Sequence, residues 1–353
     1  MSEREGKSAP ERAGEAAQAL YGAVGIGVPG YRRSDVASLA GIDRSRSVKW
    51  WRAMGFPEVP EDVPAFSELD VEILRRLAAV TGAGLVDDEN IMRLARVLGA
   101  SFSRIADAQV AVLEQLVASL PGADPDASTR DGIEALLTAP GESVFDLLED
   151  SLVYVWRRHL LAALGRRLEA ADEGATERAV GFADLSGFTR LSQRMPAHRL
   201  AQVVDRFEEI AFDVISDRGG RAVKFIGDEA MFVADTLPDA VDIALDLAER
   251  LRAVRDMPVI HCGIACGRTV TVGGDVFGPA VNLAARLTTI ARPDTIVIPR
   301  DAVGQLAERD DIEIVRVQRS FELKGIGDTR VVAVRRKRAR REATPRPIRA
   351  LEH

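Results

Sequence analysis

Cysteine is nearly absent from this chain: 353 residues contain only Cys262 and Cys266. Both lie in one apolar run, HCGIACG, where residues four apart on a strand share a face but sit too far apart to bridge comfortably. No second cluster supplies metal ligands, so the pair reads as small core residues in a reducing cytoplasm. Long hydrophobic runs are missing too. Nothing reaches the roughly 18 consecutive apolar residues that a membrane span needs. The N-terminal MSEREGKSAPERAGEAAQ is charged and lacks the apolar core of a secretion signal. A positive charge balance is also lacking, since the formal net charge of −7 provides no global drive toward nucleic acid.

What is present suits two packed domains. The apolar fraction is 46% over a length that favours more than one core. Residues 1–170 read as mostly helical. Ser34 and Ser67 stand where helix N-caps belong, and Ser67 with Asp70 approximates a capping box. Helical periodicity follows in Val71, Leu74 and Leu77, in Ile91, Leu94 and Leu98, and in a longer segment from Val110 to Leu120. PGADPDAST at 121–129 reads as a loop. A long amphipathic stretch then runs over 144–170 with Leu148, Leu152, Val155, Leu160, Leu164 and Leu168, ending in the linker ADEGAT. From Arg178 the period changes to a β-α-β-β-α-β order, which predicts an α+β domain of the ferredoxin-like kind over 171–336. The basic run RRKRARR opens a tail, 337–353, expected to be solvated, and the final Leu-Glu-His reads as an expression-tag remnant.

Two carboxylates carry the chemistry. Asp184, in FADLSGFT, and Asp228, in VKFIGDEA, each end or follow an apolar strand-like run and meet glycine at once. Desolvating an ionised acid costs several kcal/mol unless something pairs with it, so a shared divalent cation is one reading. Turn or helix-start capping is the other. In the expected topology the Asp228 turn lies beside the end of the strand that carries Asp184. LSGFT offers free N–H groups at a helix start for phosphate oxygens, from Leu185, Ser186, Gly187 and Phe188. Lys224 shares its strand face with Asp228, while Asp275 precedes a helix that places Asn282 and Arg286 on one face.

Together, FADLSGFT, KFIGDE and DVFGPAVNLAAR resemble the catalytic domain of class III adenylate cyclases over about residues 178–335. The resemblance implies that Asp184 and Asp228 bind two Mg²⁺ or Mn²⁺ ions and that Lys224 and Asp275 read the adenine edge of ATP. It further implies that Asn282 orients the ribose, Arg286 stabilises the transition state and Lys324, in ELKGIGD, contacts phosphate. It also implies a symmetric homodimer with the active sites at the subunit interface. The connection GRTVTVGG before Asp275 is shorter than in many members. Gly273-Gly274-Asp275 also resembles the triplet of diguanylate cyclases, but that class needs it at a hairpin turn followed by further acid residues, and here a helix carrying Asn282 and Arg286 is expected to follow it.

In the N-terminal half, residues 31–56 look like a helix-turn-helix, with Gly41 at the turn and Arg44, Arg46 and Lys49 on the second helix. Trp50, Trp51 and Phe56 could instead be core. This half is similar to the helical, pH-responsive regulatory domain of soluble actinobacterial adenylate cyclases, which implies autoinhibition, with 144–170 as the transmitting helix. If acid is the signal, His159, His198 and His261 are the histidines available. A DNA-binding regulator whose cyclase-like domain senses nucleotide is the alternative.

Overall fold

The structure is a computed structural model that describes residues 18, 20–22, 24–119, 132, 144–170 and 177–337. The expected loop at 121–129, the linker at 171–176 and the tail beyond 337 lie outside the described residues. The chain divides into two compact units, Met1–Leu168 and Glu169–His353.

The first unit is helical, with α1 (Arg33–Ala40), α2 (Arg44–Ala53), α3 (Glu68–Gly82), α4 (Asp88–Ser119) and α5 (Val144–Ala170). The capping box before α3 forms as expected: the Ser67 N–H and hydroxyl donate to Asp70 Oδ2 at 2.6 and 2.9 Å. Ser34 does not cap. Arg32 takes that position because Asp35, three residues on, accepts its backbone N–H at 2.9 Å, which leaves Ser34 inside the first turn. Gly41 ends α1 in the left-handed region, as the helix-turn-helix reading requires. The two segments expected over 91–98 and 110–120 form one helix, α4, ending at Ser119: GASFSRIADAQ between them contains no Pro, and Gly99 stays helical where a Cβ would come within 2.2 Å of the Met54 carbonyl. Trp50, Val36, Phe66, Val71, Leu74 and Ile91 make the core, and the Trp51 ring packs 4.7 and 4.9 Å from Phe56 and Phe66. Trp50 is therefore core and Trp51 packs half-buried against it, whereas Phe56 is exposed. On α5, Leu148 and Leu152 are half-buried, but Val155, Leu160 and Leu164 are exposed, as are Tyr154 and Trp156.

The second unit is the expected α+β fold. Its elements are β1 (Glu177–Leu185), α6 (Phe188–Ser192), α7 (Ala197–Asp217), β2 (Arg221–Ile226), β3 (Glu229–Ala234) and α8 (Leu237–Ala253). There follow β4 (Ile260–Arg268), β5 (Val270–Val272), β6 (Asp275–Phe277), α9 (Pro279–Ile290), β7 (Ile296–Pro299), β8 (Ile312–Leu323) and β9 (Gly327–Arg336). Seven strands form one sheet in the order β2-β3-β1-β4-β7-β9-β8. Its first four strands are the antiparallel ferredoxin-like arrangement, in which each helical crossover skips one strand. Phe207, Ile210, Ala211, Val214 and Ile215 lie at helical spacing on α7 and, with the apolar face of α8, cover one side of the sheet. Cys262 is fully buried on that side, and the half-buried Cys266 packs against it; burial raises both thiols, that of Cys266 to about 11. The other side carries α9, whose Ala280, Ala284 and Leu287 pack on Val180, Phe182 and Ala265.

One correction concerns the segment before α9. GRTVTVGG is no plain connection: β5 and β6 form a hairpin whose turn is Gly273-Gly274, both with positive φ (60° and 86°). The right-handed strand twist favours such a turn, and glycine supplies it without strain. Gly-Gly-Asp thus does sit at a hairpin turn, contrary to expectation, although α9 still follows within four residues of Asp275.

Charged residues tie the far end of the sheet to α8. Arg309 donates to Asp242 at 2.7 Å and to Asp311 at 2.7 Å, while Arg336 at the end of β9 reaches Asp246, Glu249 and Asp311. Hydrogen bonds from Arg309, reinforced by its charge and that of Arg336, hold the Asp311 carboxyl down at about 2. A depressed carboxyl stabilises the fold above its unfolded value, near 4, and that contribution is lost as pH falls toward 2. The unfolding midpoint of the protein should therefore fall between about pH 4 and pH 2. Asp311→Asn should show a lower midpoint at neutral pH and a smaller drop across that window, as read by thermal unfolding at stepped pH.

Candidate active site

The two acids identified from sequence meet at one end of the central strand. β1 runs between β3 and β4, and its register sets Asp184 opposite Glu229 on one side and His261 on the other. Asp228 occupies the two-residue turn between β2 and β3, and its carbonyl accepts the Leu185 N–H at 3.1 Å. That bond fixes the β2–β3 turn against the end of β1. The carboxyls of Asp184 and Asp228 lie near enough to act on each other electrostatically. Burial, then the charge of Asp184, pushes the Asp228 carboxyl up to about 6. Glu229 is raised in the same way, first by burial and then by the two aspartates. Among the described residues no group of three or more His, Cys, Asp or Glu could hold a metal ion by itself. Two crowded, partly desolvated carboxylates with open lone pairs suit a hard divalent cation that completes its shell with water and phosphate.

Strand alternation places the remaining polar groups on the same face. Val180 and Phe182 belong to the core under α9, so Asp184 continues that face. Met231 belongs there as well, and Lys224 is its cross-strand partner. Lys224 Nζ donates to Asp275 Oδ2 at 2.5 Å, and Asp275 Oδ1 also accepts the Val276 N–H at 2.8 Å. A bulge in β2 between Ala222 and Lys224 adjusts the register that brings this pair together.

The turn expected to hold phosphate has fewer free donors than the sequence implies. The Leu185 N–H serves the Asp228 carbonyl and the Ser186 N–H donates to the Val259 carbonyl at 2.8 Å. The donors left at the helix start are those of Gly187, Phe188 and Thr189. Leu185 is fully buried, so its side chain belongs to the core.

Asn282 and Arg286 stand exposed on α9. The helix lies close on the sheet because Gly263 has no side chain: a Cβ there would come within 2.3 Å of the Thr288 nitrogen and 2.5 Å of the Ala284 carbonyl. Thr288 Oγ1 adds a hydrogen bond to the Phe182 carbonyl at 3.3 Å. Within the chain, no ion pair or hydrogen bond among the described residues joins Asn282 or Arg286 to the two acids. Lys324 is likewise apart, exposed in the turn between β8 and β9 at the opposite edge of the sheet from β2.

Sequence reasoning gave His261 no role at this site. Its Nε2 lies 3.2 Å from Asp184 Oδ2, and its Nδ1 lies 3.0 Å from Ser186 Oγ. A polar residue in the otherwise apolar run VIHCGIACG was the available signal, but cross-strand register decides its partner. In the first unit, Arg44, Arg46 and Arg52 on the second helix pair with Glu61, Asp88 and Glu58 of the same unit. Cations already neutralised in this way are poor phosphate readers, which disfavours the DNA-binding alternative.

Residues 172–336 match the family model described as the adenylate and guanylate cyclase catalytic domain. The chain is 40% identical over 286 residues to an adenylate cyclase of Streptomyces coelicolor, spanning 80% of this chain and 73% of that protein. It is 36% identical over 317 residues to an adenylate cyclase of Glutamicibacter nicotianae, spanning 84% and 77%. It is also 30% identical over 317 residues to a pH-sensitive adenylate cyclase of Mycobacterium tuberculosis, spanning 86% and 77%. These matches run well beyond the cyclase domain into the helical half.

Gly263→Ala should cost about 1–3 kcal/mol of stability, since the contacts it would make are with the backbone of α9 and cannot relax cheaply. Denaturant unfolding measures this, and an unchanged midpoint would show that α9 is not held by that close approach.

Proposed function

The chain belongs to the class III family of adenylate and guanylate cyclases, and from its site we propose that it converts ATP to 3′,5′-cyclic AMP and pyrophosphate. The observation that carries this reading is the Lys224–Asp275 pair on the same sheet face as the Asp184–Asp228 pair. The first pair suits a base and the second a polyphosphate. The ammonium donates to a ring nitrogen of adenine, while the carboxylate accepts from the 6-amino group. Guanine would turn a carbonyl toward that carboxylate and be repelled, so the pair selects ATP over GTP.

Asp184 and Asp228 are the residues that hold divalent cations, two Mg²⁺ or Mn²⁺. Bound there, such ions make the ribose 3′-hydroxyl a better nucleophile and offset charge on the phosphates. The N–H groups of Gly187–Thr189 hold phosphate oxygens at the helix start, Asn282 orients the ribose, and Lys324 contacts the outer phosphates. Arg286 lies against the α-phosphate as the bond from the 3′-oxygen forms and the bond to pyrophosphate breaks. Among the described residues Arg286 is exposed and has no ion-pair partner. With Asn282 and Arg286 apart from the acids of their own chain, the site is completed by a second copy, which yields a symmetric homodimer with two sites at its interface.

Residues 171–336 are the catalytic domain in this reading and residues 1–170 the regulatory one, with α5 transmitting its state. The extent of the matched sequence and the pH-sensitive relative support an autoinhibitory helical half. Unpaired cysteines, and no helix among the described residues long and apolar enough to cross a membrane, suit a cytoplasmic enzyme.

Purified protein with Mn²⁺ and ATP should release cyclic AMP, Asp228→Ala should abolish it, and Arg286→Ala should lower kcat about 100-fold or more. No product anywhere between about pH 5 and pH 8 would sink the reading. Asp184→Ala and Arg286→Ala proteins, each retaining at most about 1% of wild-type activity alone, should recover about a quarter of it when mixed, because half the random dimers keep one intact site. Failure to complement would argue against the shared site. Autoinhibition predicts that a 171–336 fragment is more active at neutral pH than the whole chain. If acid acts through the exposed His159, His159→Gln should change the activity–pH profile; an unchanged profile removes that histidine from consideration.

A further inference from the structure

We propose that His261 is a positioning residue that locks the cation-binding carboxylate of Asp184 and the phosphate-binding turn at Ser186 into one unit. The β1–β4 register brings His261 directly opposite Asp184. Its imidazole, largely buried at 17% side-chain exposure, bridges two groups that are two residues apart on the neighbouring strand. Nε2 lies 3.2 Å from Asp184 Oδ2 and Nδ1 lies 3.0 Å from Ser186 Oγ.

An ionised carboxylate can only accept, so Nε2–H donates to Asp184 Oδ2. Nδ1 pairs with the Ser186 hydroxyl, which can donate or accept. Asp184 Oδ2 is held by this donor, and Oδ1 remains for a cation. Ser186 is fixed by its side chain to His261 and by its N–H to the Val259 carbonyl at 2.8 Å. The residues that follow, Gly187–Thr189, therefore start from a fixed point. Groups that orient a metal-binding side chain from behind typically alter metal affinity 10–100-fold when removed. Here the same ring also orients the phosphate turn, so losing it should disturb cation and substrate together.

The inference rests on the assignment of Asp184 to the cation site. The test uses the full-length chain with Mn²⁺ alone, followed by electron paramagnetic resonance of free Mn²⁺, and ATP kinetics at saturating Mn²⁺. Gln can place its amide N–H where Nε2 stands and so can serve Asp184; Asn reaches only the Nδ1 position. His261→Gln should bind Mn²⁺ within about 3-fold of wild type, and His261→Ala and His261→Asn about 10-fold or more weakly. Ser186→Ala should keep wild-type Mn²⁺ affinity but, like His261→Gln, raise the KM for ATP more than it lowers kcat. Equal Mn²⁺ affinity in the Gln and Asn variants, or a His261→Ala protein that binds as tightly as wild type, overturns the role of His261. If His261→Ala does not fold, the Gln–Asn comparison alone decides. A wild-type protein that binds no Mn²⁺, or an Asp184→Ala protein that binds it undiminished, instead overturns the assignment of Asp184.

Discussion

The proximity of the Asp184 and Asp228 carboxyls is the constraint on which the rest of the catalytic unit depends. Two carboxylates brought together at the end of a buried strand repel each other and are poorly solvated, and the raised Asp228 carboxyl records both effects. Such an arrangement persists only where the surrounding fold enforces it. Enforcement comes from β1 at the centre of the sheet, from the β2–β3 turn tied to it by the Leu185–Asp228 backbone bond, and from two helices packed on the opposite face. A divalent cation held between the two carboxylates would relieve that repulsion. That is the physical basis for reading the acid pair as a binding site rather than as a pair of turn caps.

A second layer follows from where α9 lies. Gly263 lets the helix backbone approach β4, and the Thr288 hydrogen bond to Phe182 locks its register on the sheet. The apolar face of α9 is spent on the core, so Asn282 and Arg286 face outward by helical geometry. An exposed arginine without an acid of its own is well suited to an anionic substrate approached from outside the subunit. The proposed homodimer takes its logic from this geometry. The Lys224–Asp275 pair differs, being assembled within the chain before any substrate arrives.

The helical unit shows the opposite economy of charge. Its second helix carries four cations, and Arg44, Arg46 and Arg52 are paired with acids of the same unit. A helix-turn-helix outline is therefore present without the free basic face that reading DNA requires. Helix α5 carries exposed apolar residues such as Tyr154, Trp156 and Leu161, an unusual surface for a helix that serves only as a spacer.

Much was legible in the sequence because it is local. Periodicity gave the helices and the βαββαβ order, the Ser67–Asp70 spacing gave the cap of α3, and the motifs around Asp184, Asp228 and Asn282 gave the family. Local rules failed where a neighbour competed: Asp35 moved the cap of α1 from Ser34 to Arg32, and Gly273-Gly274 folded a presumed connection into a hairpin. The chain by itself thus determined the elements, the acids and the reaction class they suggest. Only the tertiary structure decided that His261 backs Asp184, that Leu185 and Ser186 have already used their N–H groups, and that the arginines of α2 are neutralised. Those facts depend on cross-strand register and on contacts between distant residues, which no periodicity along the chain encodes.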